Sequence, residues 1–275
     1  MRSDTGHPFT SDRRKVLAGM AALIALSACG SRTKSDARWL GSSESAATID
    51  HSRWDRLLKV YVKPASDGIN RVDYLGLKNA AAAELSAYLT DMQDIEVSAF
   101  NRDEQFAYWV NLYNAATIDL IVREYPLETI RDLGLLGQGP WKDDILTVKG
   151  KKLSLDDIEH GILRPIWKDV RIHYAVNCAS LGCPNLAPQA WRSDRLEEML
   201  EAAAVSYVNH PRGFSRVGGK LTASSIYDWY ESDWGSAAKV LEHARKYANS
   251  ATEALLAGAS AIDSYDYDWS LNAAV

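Results

Sequence analysis

The chain has 275 residues and a formal net charge of −5 at pH 7, and charged side chains make up 24% of it. Acidic and basic residues are interspersed, so the sequence offers no basic block of the kind that attracts nucleic acid, and we exclude nucleic acid as a partner. The length is sufficient for one sizeable domain with its own hydrophobic core.

The first residues are typical of a bacterial export signal. A polar stretch, residues 1–15, leads into an apolar run, residues 16–26, that is too short to span a bilayer comfortably. The run closes on Leu26-Ser27-Ala28-Cys29, which resembles the lipobox in which the cysteine sulfur is acylated and the peptide is cut before it. The alternative is an uncleaved anchor helix, against which the length and the flanking residues argue. We therefore expect residues 1–28 to be a signal peptide and Cys29 to carry lipid.

The residues around the apolar run extend this prediction. Arg13-Arg14 resembles the twin-arginine signal, whose cargo crosses the membrane already folded. Residues 29–47 are polar and rich in Ser, Ala and Lys, which predicts a tether, and residues 48–275 are predicted to form the single globular domain. We expect a cell-envelope lipoprotein that is anchored to a membrane through Cys29 and faces the periplasm.

Helical spacing of apolar residues dominates the first half of this domain. Helices are predicted at residues 51–62, 77–92 and 102–125. The last is the strongest: Asn101 followed by Glu104 resembles a capping box, and Pro126 ends the run. We expect it to be the central helix of the fold.

The second half alternates hairpins with short helices. Hairpins are predicted at residues 145–153, with the turn at Gly150, and at residues 214–222, with the turn at Gly218-Gly219. Residues 170–176 alternate enough to predict a strand with His173 on one face. Further helices are predicted at residues 155–163, 193–208, 226–231, 236–247 and 252–256, before an extended tail at 262–271. The pattern predicts a helix-rich α+β domain with a small, mainly antiparallel sheet.

Four sequence blocks carry a family resemblance. They are FAYWVNLYNA at 106–115, LDDIEH at 155–160, HYAVNCASLGCP at 173–184 and YDWSLN at 267–272. In this order they resemble the family filed as domain of unknown function 547, and the resemblance covers roughly residues 57–272. It implies one complete copy of the domain but no activity, because that family has none assigned.

The chain also has a distant likeness to papain-like and transglutaminase-like folds. In those folds a central helix packs against a sheet that carries a catalytic histidine, and the nucleophilic cysteine opens the helix. Here the start of the central helix, residues 101–107, contains no cysteine.

His173 with Cys178 or Cys183 is the one thiol and imidazole cluster of the sequence. A nucleophilic thiol needs a neighbouring base or cation, and imidazole can accept and return the proton. If residues 170–178 stayed extended, His173 and Cys178 would lie about 16 Å apart on opposite faces. A direct pair therefore requires the strand to end near Asn177. The alternatives are a structural disulfide between the two cysteines, two inert thiols, or a metal site.

Two asparagines on the central helix are candidate site residues. Asn111 and Asn114 are three residues apart and share a face, although Asn is a poor helix-interior residue. Their amides could orient His173 or donate to an oxyanion. Alternatively, they satisfy buried backbone groups of an adjacent segment.

A metal-assisted site is the weaker possibility. Asp156 and His160 are four residues apart on a predicted helix and could share one ion, but a solvated acidic helix start explains the carboxylates equally well. We assign no metal and no cofactor. Tyr227, Trp229, Tyr230 and Trp234 crowd one segment, as a groove wall or an amphipathic helix would.

Two functions follow from these residues. The first is a thiol-dependent hydrolase or acyl transferase acting on amide bonds, with His173 as base, Cys178 or Cys183 as nucleophile, and Asn111 and Asn114 as orienting or oxyanion groups. The second is a non-catalytic binding or scaffolding lipoprotein, stapled by a disulfide, whose partner is a peptide, a glycan or an envelope protein.

Overall fold

The computed structural model describes residues 36–134 and 137–274 of the chain. The predicted signal peptide and Cys29 lie outside these residues. The helices are α1 (Ser52–Tyr61), α2 (Tyr74–Ala80), α3 (Ala82–Gln93), α4 (Arg102–Glu124), a π-helical segment (Asp157–Leu163) that continues into α5 (Arg164–Trp167), α6 (Ile172–Ala175), α7 (Leu196–Val208), α8 (Ile226–Trp229), α9 (Glu231–Trp234), α10 (Ala237–Tyr247) and α11 (Ser250–Leu256). Within the two described ranges, no helix is both long and apolar enough to cross a membrane.

The strands that the structure describes form small sheets of two or three strands. They are β1 (Val62–Pro64), β2 (Asn70–Val72), β3 (Leu146–Val148), β4 (Lys151–Leu153), β5 (Phe214–Val217), β6 (Lys220–Ser224) and β7 (Ser264–Asp266). The pairs β1–β2, β3–β4 and β5–β6 are antiparallel, whereas β7 runs parallel to β6. The expectation of a helix-rich α+β domain with small, mainly antiparallel sheets is confirmed.

The central helix α4 is buried along almost its whole length, as a helix that is apolar nearly all round must be. The Asn101 side chain caps it by accepting a hydrogen bond from the Glu104 N–H at 3.0 Å. The Glu104 carboxylate does not complete a capping box. It accepts instead from the Ile49 N–H at 2.7 Å and from the Ser193 hydroxyl at 2.5 Å. The predicted central helix is thus present, and its first turn also fixes two distant segments.

Two clusters of buried apolar side chains meet at α6. Ile172 and Ala175 belong to the larger cluster, which surrounds α4, and Tyr174 belongs to the smaller one, which is formed by α7, α10 and the β5–β6 hairpin. The short segment between the clusters is therefore buried on all sides. It also leads directly into the two cysteines.

The predicted strand at residues 170–176 is wrong, because the segment forms the helical turn α6. The Asp169 side chain accepts the Arg171 N–H at 2.8 Å and the Asp169 carbonyl accepts the Ile172 N–H at 3.2 Å, so the chain is already turning when α6 begins. Alternation along the sequence could not show this, since all four residues of α6 are buried. The predicted helix at residues 77–92 is likewise divided at Ala81 into α2 and α3.

The second half of the predicted tether packs on the domain as a strap, residues 36–47. Trp39 is buried and meets the Trp109 ring of α4 edge-on at 5.1 Å. The Ser43 N–H donates to the Phe100 carbonyl at 3.1 Å, and Gln105 Nε2 donates to the Gly41 carbonyl at 2.9 Å. Composition predicted no fold for this polar stretch because it carries few apolar residues, but the single tryptophan docks it.

We expect Trp39→Ala to release the strap while the rest of the domain stays folded. Truncation of a buried tryptophan costs about 3 kcal/mol. The equilibrium constant for opening of the strap should therefore rise roughly a hundredfold. Hydrogen exchange of the Ser43 amide measures it. Leu40→Ala, at a neighbouring side chain that is 49% exposed, is the matched control and leaves exchange unchanged. Equal exchange in Trp39→Ala and the unmodified chain contradicts the docking.

Candidate functional site

The candidate site is the loop that follows α6, residues 176–184, which we call the thiol loop. Asn114 of α4 fixes its start: Nδ2 donates to the Ala175 carbonyl at 3.0 Å and Oδ1 accepts the Asn177 N–H at 2.8 Å. Asn177 then closes the loop on itself, since Nδ2 donates to the Pro184 carbonyl at 2.6 Å and Oδ1 accepts the Ala179 N–H at 2.9 Å. Two buried amides therefore define the path of the chain.

The C-terminal tail holds the other side of the thiol loop. The Leu181 and Gly182 N–H groups donate to the Ser270 and Asp268 carbonyls, each at 2.8 Å. A Cβ at Gly182 would lie 2.8 Å from the Asp268 backbone nitrogen, so this close approach requires glycine. The YDWSLN block thus lies alongside the thiol loop and pairs with it through an isolated antiparallel bridge between Ser180 and Leu271.

The loop brings the two cysteines into contact. Their sulfur atoms are 3.2 Å apart, which is longer than a disulfide bond of about 2.05 Å. The Cys178 N–H donates to Cys183 Sγ at 3.0 Å. Cys178 is partly exposed, whereas Cys183 is buried. The pair therefore joins a partly exposed residue to a buried one.

Hydroxyl groups complete the surroundings of Cys178. Its sulfur lies 3.1 Å from the Tyr267 hydroxyl and 3.2 Å from Ser180 Oγ. Ser180 donates to the Tyr267 oxygen at 2.9 Å, which leaves the Tyr267 proton free to point at Cys178. The arrangement is a short relay from Ser180 through Tyr267 to the sulfur.

These contacts shift the pKa values of the two thiols in opposite directions. The hydrogen bond with Cys183, joined by those with Ser180 and Tyr267, lowers the pKa of Cys178 to about 7 even though burial opposes ionisation. Burial, and then the neighbouring Cys178, raise the pKa of Cys183 well above its usual value. The lowered pKa favours the thiolate of Cys178, which is the nucleophilic form, while the raised pKa keeps the proton on Cys183.

His173 lies on α6, and its ring contacts residues that do not surround Cys178. Nε2 is 2.8 Å from Asp233 Oδ2 and Nδ1 is 3.7 Å from Glu159 Oε1. The ring stacks on Tyr230 at 4.1 Å between centroids. Within the described chain, the hydrogen bonds of Cys178 Sγ go to Cys183, Ser180 and Tyr267 rather than to His173. The structure therefore does not pair the predicted base with either sulfur.

The partners of His173 form a partly buried ionic cluster. Arg164 binds Asp233 through two hydrogen bonds of 2.6 and 2.9 Å and lies over the Tyr230 ring. Burial opposes the charge on Asp233, but hydrogen bonds from His173 and Arg164 keep its pKa well below the usual value. These groups satisfy one another, which is the condition for keeping charges in a protein interior.

Tyr113 connects the two clusters electrostatically. Its hydroxyl donates to Glu159 Oε2 at 3.3 Å. Burial raises the pKa of Tyr113 well above its usual value, and the nearby charges of Glu159 and Cys178 add to the effect. Tyr113 therefore lies between the thiol pair and Glu159.

The side-chain amides of Asn111 and Asn114 form hydrogen bonds with backbone groups. The Asn111 side chain pairs with both polar groups of the Trp191 backbone at 2.9 Å, and Asn114 holds the thiol loop. Both are fully buried. The interpretation that they satisfy buried backbone groups therefore describes their observed contacts, and their part in the site is to position it.

His160 pairs with an arginine in addition to the expected carboxylate. Nδ1 lies 2.9 Å from Arg164, and Nε2 lies 3.6 Å from Asp156 Oδ1. In residues 36–134 and 137–274, no group of three or more His, Cys, Asp or Glu side chains could hold a metal ion.

Several site residues were not singled out by sequence reasoning. Tyr267 and Ser180 stand in quoted blocks, so their motifs were visible but their contact with Cys178 was not. Asp233 carries no motif and reaches His173 only through the fold. Of the crowded aromatic segment, Tyr230 and Trp234 stack on His173, Tyr227 is core, and Trp229 packs against Tyr267.

We expect alkylation of Cys178 by iodoacetamide to accelerate with pH about a midpoint near 7, because the hydrogen bonds favour the thiolate. Tyr267→Phe removes one donor, so its midpoint moves to higher pH. Peptide mass spectrometry after timed labelling gives the rate at Cys178 alone.

Tyr265→Phe is the matched control, since it removes a hydroxyl two residues away on β7 and leaves the midpoint in place. A midpoint for the unmodified chain near that of a free thiol, about 8.5, contradicts the hydrogen-bonded thiolate.

Comparison with known proteins gives one match. The family model described as a protein of unknown function, DUF547, matches residues 97–208, which include α4, the π-helical segment, His173 and the thiol loop. The comparisons found no matching curated protein and no matching solved structure. The distant likeness to papain-like folds thus gains no support, while the family match supports the resemblance that the sequence blocks indicate.

Proposed function

We propose that this chain is a membrane-anchored envelope lipoprotein whose two cysteines carry out thiol–disulfide exchange. The observation that supports the proposal most strongly is the asymmetry of the thiol pair. Cys178 is partly exposed with its pKa lowered to about 7, and Cys183 is buried beside it with its proton retained. An accessible thiolate and a sheltered second thiol in contact are what exchange requires.

The reaction proceeds in two displacements. The Cys178 thiolate attacks one sulfur of a partner disulfide, forming a mixed disulfide and releasing the other partner sulfur as a thiolate. Cys183 then loses its proton to solvent or to the released thiolate and attacks Cys178 Sγ, which releases the second partner thiol. The partner is reduced by two electrons and the Cys178–Cys183 pair is oxidised to a disulfide. The reverse sequence oxidises a partner dithiol.

Hydrolysis or acyl transfer at an amide bond would use the same nucleophile but also needs a general acid. The leaving amine must receive a proton from a nearby acid, and the sequence prediction gave that role to His173. The His173 nitrogens face Asp233 and Glu159, so the observed contacts favour exchange, for which no such acid is necessary.

Anchoring at Cys29 places this chemistry in the envelope. The lipobox-like Leu26-Ser27-Ala28-Cys29 supports lipidation, and a periplasmic location supplies the oxidising conditions in which a dithiol can cycle. In the same compartment a permanent Cys178–Cys183 disulfide would make the protein a stapled scaffold, so redox behaviour separates the two functions.

We expect a Cys183→Ser variant to accumulate a mixed disulfide with glutathione at Cys178, because the second displacement is blocked. The Cys29→Ser background leaves Cys178 and Cys183 as the only thiols. After reaction with oxidised glutathione and acid quenching, intact mass spectrometry detects the adduct. The chain with both thiols instead loses two hydrogens and keeps no glutathione.

Cys178→Ser is the matched control, and it gains little adduct because Cys183 is buried and protonated. Equal adduct formation in the two variants, or a disulfide in the parent that mild reductant does not open, contradicts exchange. An acyl-enzyme formed with an amide or ester substrate would support hydrolysis instead.

A further inference from the structure

The guanidinium of Arg212 holds the chain on both sides of Cys183. Arg212 lies just before β5, and its Nη1 donates to the Leu181 carbonyl at 3.0 Å while its Nη2 donates to Asn185 Oδ1 at 2.7 Å. Leu181 and Asn185 stand two residues before and two residues after Cys183. One side chain therefore fixes the segment that carries the buried thiol.

This guanidinium has a positive charge but no paired negative charge. Among residues 36–134 and 137–274, no carboxylate forms an ion pair with Arg212, and its buried Nε has no hydrogen-bond partner there. The guanidinium carbon lies 5.4 Å from the centre of the Tyr207 ring, whose hydroxyl donates to the Gly182 carbonyl at 2.7 Å. Removing a charge from water is costly unless an anion meets it. A half-buried arginine with neutral partners is therefore suited to an anion that forms later.

The neighbouring histidine and carboxylate have other partners. His210 Nδ1 accepts the Arg212 N–H at 3.1 Å, and His210 Nε2 lies 2.8 Å from the Asp67 carbonyl oxygen. The Asp67 carboxylate binds Arg71 at 2.6 Å. These contacts do not neutralise the guanidinium of Arg212.

The groups that could supply a negative charge belong to the thiol site or lie against it. Burial lowers the pKa of Arg212, and so does the positive charge of Arg71, whereas ionisation of Tyr207, Cys183 or Tyr267 would raise it. Burial also raises the pKa values of both tyrosines well above the usual value, so the phenols keep their protons near neutral pH. Of these three groups, Cys183 is the one that must lose its proton in the proposed reaction.

The first displacement changes the charge next to Cys183. In the reduced pair, burial and then the neighbouring Cys178 raise the pKa of Cys183. Once Cys178 has formed the mixed disulfide, its sulfur no longer carries a negative charge. The repulsion between two thiolates then disappears, and the positive charge of Arg212 favours ionisation of Cys183.

We propose that Arg212 is a positioning residue for the second displacement: it holds Cys183 beside Cys178 and stabilises the Cys183 thiolate once the mixed disulfide has formed. The Cys183 proton passes to solvent or to the released partner thiolate, and Arg212 keeps its own proton. The new thiolate attacks Cys178 Sγ, and the bond between Cys178 and the partner sulfur breaks as the second partner thiolate leaves. The inference rests on the proposed exchange reaction and explains how a buried thiol becomes its second nucleophile.

The test follows the two displacements separately with dipyridyl disulfide, in the mature chain with Cys29→Ser. Each displacement releases one pyridinethione, so a stopped-flow trace of this parent chain should have two absorbance phases of equal size. The rate of the second phase should not depend on the concentration of the probe, because the step is intramolecular. Cys183→Ser should keep the first phase and lose the second.

Arg212→Gln should move the pH midpoint of the second phase upward by about one unit and slow this phase about tenfold below the midpoint, because the thiolate loses a nearby positive charge. The first phase should keep its own midpoint, since hydrogen bonds with other residues favour the Cys178 thiolate. Arg212→Lys keeps the charge and should restore most of the shift. Arg216→Gln is the matched control: it removes an exposed arginine of β5 that also binds backbone carbonyls, and it should leave both phases unchanged.

A second phase that slows equally at every pH in Arg212→Gln, with its midpoint unchanged, overturns the inference. If thermal unfolding shows that this variant does not fold, Asn185→Asp replaces it: the new carboxylate pairs with Arg212 without removing it, and the midpoint should again rise. An unchanged midpoint in Asn185→Asp then overturns the inference. Absence of a concentration-independent second phase in the parent chain overturns the exchange reaction itself, and the inference with it.

Discussion

The amide of Asn114 is the interaction on which the candidate site depends. It lies in the middle of the most buried helix and holds the Ala175 carbonyl and the Asn177 N–H at once. Without it two buried backbone groups would lack partners, which costs about 1–3 kcal/mol for each. Because Asn177 in turn ties residues 179 and 184 together, one side chain of α4 determines where the cysteine-bearing loop starts and how tightly it closes.

The site is built from two neighbouring clusters with different physical characters. In the thiol loop, neutral donors surround a sulfur and make its ionised form easier to reach. Around His173, partly buried opposite charges neutralise one another and join α9 to the π-helical segment, α5 and α6. The first arrangement favours reactivity and the second favours rigidity, since the thiol is partly open to solvent and the imidazole is not.

Much of the fold could be predicted from residue pattern alone. The cap at Asn101, the length of α4 and both glycine-containing hairpins follow from local signals, and the structure has them. The segment at residues 170–176 was predicted wrongly in this way, because residues 172–176 are all buried and the alternation of residue types that suggested a strand does not separate a buried face from an exposed one. The docking of Trp39 could not be predicted either, since a single apolar side chain leaves no periodic pattern in a polar stretch.

The candidate site was predicted in part. The sequence showed the residue types of the thiol loop and predicted that Asn111 and Asn114 share a helix face. It did not predict the direction in which each side chain points. A strand would have placed His173 and Cys178 by alternation, whereas the helical turn points His173 at Asp233, a residue sixty positions away. Tyr267 reaches Cys178 over eighty-nine positions. Contacts of this separation arise from the packing of the whole domain.

The reduction potential of the Cys178–Cys183 pair tests the central claim most directly. A stabilised Cys178 thiolate favours the reduced form, so equilibration of the Cys29→Ser chain in glutathione buffers should give a potential between about −270 and −120 mV, the range of pairs that exchange. A value below about −300 mV, which is typical of structural disulfides, would contradict the account and identify the loop as a permanently stapled element.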